Sequence, residues 1–315
     1  MVLLGYMLST LTKPLFATAT DWTNVLIIRF MDGVGKATRT APRDSLLSAS
    51  VPKESLGKVF GIHRTLDQSG AILGPLLAIL LLPILSFRGL FVFSLLPGAL
   101  ALFVLLFFVK EAASVRPGET PLGDIRRSLS PEFLKFLAIV ALFSIGAFNF
   151  SFILIRAGEA GIPEQYVPGV YMLINIFHAI IGIPAGALFD RIGRGKVLAL
   201  GYLILGCGDL ILILLSNGIL QVLVVAALFG LYFGTIETVQ RATVPTFTDE
   251  SLRGTAYGIY YLVVGVGYLF ANIVVGYLWD TIGPSAPFTY SFFTSLVSAV
   301  AMIALIKTPA ARRIK

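Results

Sequence analysis

An all-α protein threaded repeatedly through a bilayer, with about ten crossing helices, is the fold class this sequence predicts. Three observations lead there. The 315-residue chain is 57% hydrophobic and only 13% charged, about half the charged share of a soluble domain, and its mean hydropathy is +0.88. Apolar stretches of about 20 residues, the length that crosses a hydrocarbon core, recur along the whole chain. The basic residues are also partitioned between alternate loops, which is a topology signal.

Taken in order, the apolar segments are 2–19, 22–48, 57–85, 89–109, 133–155, 167–189, 197–215, 218–244, 254–279 and 288–306. The second, third and eighth are long, with polar ends that reach out of the hydrocarbon. Most connections are short. The exception, 110–130, is polar with Pro and Gly and reads as a cytoplasmic linker, so that 1–109 and 131–315 form two helical halves. Of the 24 lysines and arginines, 20 lie in the loops 36–64, 110–135, 191–196 and 241–253 and in the tail 307–315. That bias puts these loops and both termini in the cytoplasm.

Composition also removes function classes. The single Cys207 allows neither an internal disulfide nor a cysteine-based metal site, and two histidines, His63 and His178, leave no zinc-type cluster. No metal, no cofactor and no catalytic residue is expected, and a membrane-embedded transferase would need clustered acidic or histidine ligands that the loops lack. The net charge of +7 follows the loops, not a basic face, so nucleic acid is not an expected partner. The lipid bilayer is.

The halves repeat. Glu54-Ser55-Leu56 recurs as Glu250-Ser251-Leu252, Phe60-Gly61-Ile62 as Tyr257-Gly258-Ile259, and Gly70 as Gly267. Internal repeats of helical bundles are a transporter architecture. Glu250 stands much deeper in its half than Glu54 does, by about 66 residues, roughly two crossing helices with loops. The expectation is that two helices of the first half precede Met1.

Three motifs carry a resemblance. Gly186-Ala187-Leu188-Phe189-Asp190-Arg191-Ile192-Gly193-Arg194-Gly195-Lys196 joins the sixth and seventh segments. Gly193 permits a tight turn, Asp190 offers a carboxylate to a helix N-terminus, and Arg191, Arg194 and Lys196 hold the loop inside. Arg29-Phe30-Met31-Asp32-Gly33-Val34-Gly35 places a cation in an apolar helix, which demands a partner or water, with two glycines that let a backbone approach. Gly70-Ala71-Ile72-Leu73-Gly74-Pro75 combines two packing glycines with a kinking proline. The first resembles the G-x-x-x-D-R-x-G-R-[RK] signature of the major facilitator superfamily, the second its fourth-helix R-x-x-x-G-x-G pattern, and the third the G-x-x-x-G-P core of its antiporter motif.

The resemblance implies the major facilitator fold, here a four-helix partial N-bundle and a six-helix C-bundle around a midplane cavity, in a prokaryotic inner membrane. The implied function is movement of a small solute by alternating access, coupled to protons and directed outward (antiport). Uptake by symport and a fragment without transport activity are the alternatives. A monomer is expected. Coupling and gating candidates are Arg29, Asp32, Asp67, Asp190, Arg191, Arg194, Glu237 and Arg241, and Asp190 is expected against the helix that opens at 55–60. Gln68, Asn175, His178, Tyr268 and Asn272 are candidate cavity liners, with Asn149 also at membrane depth. Gly33, Gly35, Gly70, Gly74, Pro75, Gly186 and Gly193 are structural. Arg29 is expected to pair with Asp32 or another carboxylate. Asp209 has no account at this level.

Overall fold

The computed structural model describes residues 2–109, 125, 127–214 and 218–307, all of the regular structure being helical. The helices are α1 (Val2–Leu15), α2 (Trp22–Ala49), α3 (Leu56–Phe93), α4 (Leu95–Phe108), α5 (Pro131–Gly146), α6 (Ser151–Glu159), α7 (Val167–Ile192), α8 (Arg194–Leu214), α9 (Ile219–Thr243), α10 (Arg253–Thr281) and α11 (Ala286–Lys307). Most of the 110–130 linker, the tail from 308 and residues 215–217 lie outside the described residues.

The predicted segments fall largely on helix, but in place of ten crossings seven spans among the described residues are long and apolar enough to cross a bilayer: Leu80–Phe108, Pro131–Glu159, Val167–Ile192, Arg194–Leu214, Ile219–Thr246, Glu250–Thr281 and Ala286–Leu305. The shortfall has local causes. Helix α1 has 14 residues, α2 carries six charged side chains from Arg29 to Asp44, and the first half of α3 is polar from Lys58 to Ser69. The third and fourth segments share one long helix whose backbone leaves helical angles at Ser86 (φ 58°, ψ 171°), not at Pro75, whose ring lies outside the described side chains.

The chain divides into two compact units, residues 1–50 with 73–119, and residues 51–72 with 120–315. The first half of α3 thus belongs with the C-terminal helices.

In the first unit α1 packs on α2 and α4. The α1–α2 contact is built on Gly5 and Gly35: a Cβ on Gly35 would stand 3.0 Å from the Gly5 carbonyl oxygen. Gly33 does not share this role, since nothing lies within 4 Å of a Cβ there; it sits two residues along, on the exposed face. Asp32 is buried, accepts from the Ser9 hydroxyl at 2.5 Å and pairs with Lys36 at 3.3 Å. Arg29 is not its partner. Its guanidinium lies 5.5 Å from the centroid of the Phe16 ring, and among the described residues no carboxylate is within ion-pair distance of it.

In the second unit α9 packs on α7 and α8, α11 on α8 and α5, and α10 on α5. The predicted fifth segment breaks after Gly146, and the chain resumes as helix at Ser151. Asn149 holds the break: its side-chain oxygen accepts from the Ser151 amide at 2.9 Å and the Ser151 hydroxyl at 2.7 Å. The Ile145 carbonyl freed by the break accepts from the Tyr290 hydroxyl at 2.8 Å.

Candidate functional site

Two adjoining features of the second unit carry the chemistry, and both begin in the first half of α3. Gly57 and Gly61 are one turn apart on α3, and Gly182 and Gly186 one turn apart on α7. A Cβ on Gly61 would meet the Gly182 carbonyl oxygen at 2.5 Å, and one on Gly57 or Gly186 would run into the other's backbone. Small residues four apart on both helices let the backbones touch. Gly70 and Gly74 do not serve in this way; nothing lies within 4 Å of a Cβ added at either, because they sit on open faces of α3.

At the end of this contact lies the loop signature. Gly193 closes α7 with φ 87°, which only glycine adopts without strain. The turn leaves Asp190 beside the start of α3, whose first amides have no partner within the helix. Its two oxygens accept from the Gly57 amide at 2.9 Å and the Lys58 amide at 2.8 Å, the contact the sequence leads one to expect. Arg194 reaches the other way. Its guanidinium donates to the Thr246 hydroxyl and stacks 4.2 Å from the Phe247 ring centroid, tying the signature to the turn that follows α9. Arg191 is exposed.

Two turns further along α3, Arg64 spends all three guanidinium nitrogens. Nε donates to His178 Nε2 at 2.8 Å, one Nη to Asp67 at 2.8 Å, and the other pairs with Glu237. Glu237 also receives Arg241 at 2.9 Å through its second oxygen, and lies 3.3 Å from His178 Nε2. Arg64, Glu237 and Arg241 are 10, 20 and 10% exposed at their side chains, and His178 1%. Two arginines therefore share one mostly buried carboxylate, with Asp67 supplying a second, half-exposed one.

His178 is offered more donors than a neutral ring accepts. Arg64 Nε points at Nε2, and the Gln68 amide nitrogen is 3.0 Å from Nδ1 while also donating to Asn175 at 2.8 Å. A neutral imidazole has one acceptor nitrogen, so one of these donors must yield. A proton added to the ring would set donor against donor and expel Arg64 from its contact.

The sequence offers Asp67, Glu237 and Arg241 as gating candidates and Asn175 and His178 as cavity liners, with nothing to join them. The structure merges all of them with Gln68. It also joins Asn149 to Asn272, whose side-chain oxygen accepts from the Asn149 amide at 3.2 Å, and sets Tyr268 3.3 Å from the Tyr232 hydroxyl. Asp32 and Arg29 belong to the other unit and have no part in this cluster. Missed from the sequence were Gly57, Gly61 and Gly182; the four-residue spacing of glycines on each helix was the available signal.

Comparison with known proteins agrees. The family model of the Major Facilitator Superfamily matches residues 1–177 and 136–315. An uncharacterised MFS-type transporter of Methanocaldococcus jannaschii is 35% identical over 311 residues, covering 96% of this chain and 77% of that protein. The class E tetracycline resistance protein of Escherichia coli is 23% identical over 281 residues, 85% of this chain and 69% of that one. The crystal structure of the human organic anion transporter MFSD10 superposes with a TM-score of 0.77 at 17% identity, covering 96% of this chain and 76% of its own. Its helical fold, its loop signature and these relatives together establish that the chain belongs to the major facilitator superfamily, whose members are membrane transporters.

Proposed function

We propose that the protein moves a small solute across a prokaryotic inner membrane by alternating access, with protons driving export. Ten crossings, four before the 110–130 linker and six after it, put both termini in the cytoplasm. The observation that carries this reading is the buried cluster of Arg64, His178, Glu237 and Arg241. Its geometry makes protonation and ion pairing compete. A proton on Glu237 removes the charge that both arginines share, and one on His178 displaces Arg64. The first event loosens α3 from α9 and the second loosens it from α7, which is what a coupling step requires. Asp190 on the α3 N-terminus acts as the latch of the cytoplasm-closed state, and Asn149, Asn272 and Tyr268 face the solute path.

The likeness to a tetracycline resistance protein favours export over uptake and supplies the first probe. Inside-out vesicles loaded with the protein and acidified by respiration should lose part of their pH gradient when tetracycline, or another solute from a panel of organic cations and anions, is added. Glu237→Gln should abolish that loss. Solute accumulation without proton movement would refute the coupling, and proton-driven uptake in right-side-out vesicles would reverse the direction.

A further inference from the structure

Away from that cluster, α8 carries a carboxylate that the proposed cycle does not use. Asp209 is 1% exposed, and neither of its oxygens has a hydrogen-bond partner of normal geometry. Among the described residues no lysine, arginine or histidine is within ion-pair distance of it. The surrounding wall is apolar, made by Phe148, Ile204, Leu205, Val225 and Phe229.

What faces Asp209 is hydroxyl. Helix α11 packs on α8 and turns Ser291, Ser295 and Ser298 inward, a stripe at i, i+4 and i+7. All three are fully buried, and none of their hydroxyls has a hydrogen-bond partner of normal geometry. Thr289 and Thr294 on the same helix instead donate to the carbonyl four residues back, the usual resting place of such a group. Ser291 is the hydroxyl that meets Asp209, and Ser295 lies one turn on, beside Gly206. From α9, Tyr232 comes close enough to interact with Asp209, and its hydroxyl is engaged with Tyr268. The α5–α6 break contributes the Phe148 ring.

An ionised carboxylate in such surroundings, without counter-charge and with at most one serine hydroxyl to solvate it, is prohibitively costly, so a cation must neutralise it. A hard metal ion needs a cage of about six oxygens. Asp209 and one serine do not make one against a wall of phenyl and aliphatic groups. We propose that Asp209 is a proton-binding site, a neutral carboxyl hydrogen-bonded to Ser291, separate from the Arg64–Glu237 cluster and occupied whatever the transported solute is.

Infrared difference spectroscopy of the purified protein in lipid at neutral pH tests this. Wild type should show a carboxylic-acid C=O band that shifts down with carbon-13 aspartate and is lost in Asp209→Asn. Ser291→Ala should move the band to higher frequency, because the carboxyl loses its partner, and this variant keeps the test alive if Asp209→Asn does not fold. No labelled acid band in wild type, or a band indifferent to both substitutions, overturns the proposal. So does a melting temperature raised by sodium chloride over choline chloride in wild type but not in Asp209→Asn, which would assign the site to a metal cation.

Discussion

Replacing Glu237 by Gln probes the cluster most directly. The carboxylate takes Arg241 on one oxygen at 2.9 Å and Arg64 on the other. The amide keeps one acceptor and points an N–H₂ at whichever arginine meets its nitrogen. Removing one partner of a buried ion pair costs about 3–5 kcal/mol. Here the carboxylate is 20% exposed and Asp67 still holds Arg64 at 2.8 Å, so we expect the lower end, about 3 kcal/mol. Adding Arg241→Gln should recover part of that loss, since the second cation then no longer stands without its acid. A coupling energy of about 1–3 kcal/mol between the two sites is expected. Denaturant titration of the protein in lipid–detergent mixtures, run on the two single variants and the double, measures it. A loss below about 1 kcal/mol for Glu237→Gln, with strict additivity in the double variant, would refute the shared-carboxylate reading.

Asp190→Asn should weaken the docking on α3 by about 1 kcal/mol, within the range for a carboxylate at a helix N-terminus. It should also raise accessibility of a cysteine placed at Gly254 to a cytoplasmic thiol reagent; unchanged accessibility would remove the latch role. Gly186→Val should cost about 1–3 kcal/mol by overpacking, because its branches have only the Gly57 and Gly61 backbone to displace, whereas Gly70→Val should be nearly neutral in the same unfolding assay. His178→Gln should leave solute exchange intact and abolish the solute-dependent pH change in vesicles; loss of both would mark the ring as structural. In cysteine-free protein, single cysteines at the exposed Ser50 and Ser285 should label from the cytoplasmic and outer sides respectively, and same-side labelling would overturn the topology.

How much could be read from the chain depended on whether the information was local. Asp190 was legible because the signature names it and the repeat marks where α3 starts. The break at Ser86 was visible as a dip in hydropathy between 85 and 89. Arg29 was assigned the wrong environment because two cations compete for Asp32. Lys36 lies four residues after the acid, the better helical geometry, and leaves Arg29, three residues before it, to the Phe16 ring. The Arg64–Glu237 pair spans 173 positions of sequence, and nothing in either local pattern announces it. Nor did hydropathy show the break at 147–150, since Ala147-Phe148-Asn149-Phe150 reads as continuous apolar helix apart from one residue able to bond its own backbone.

The glycine contact between α3 and α7 has a mechanical consequence. Where helices mesh through large side chains, each knob must leave its hole before the pair can shift, and motion proceeds in steps. Along Gly57, Gly61, Gly182 and Gly186 backbone lies on backbone, with the Phe189 ring and the Thr65 hydroxyl, which donates to the Ala179 carbonyl at 2.9 Å, reaching into the contact. Such a joint behaves much as a plain bearing, able to swivel with few rotamer changes, so its position is set largely by what is bolted to its two ends. At one end that is Asp190 on two amides, and at the other it is Arg64 in its cage of acid and imidazole. Charge therefore does more than shape to decide where this hinge stands.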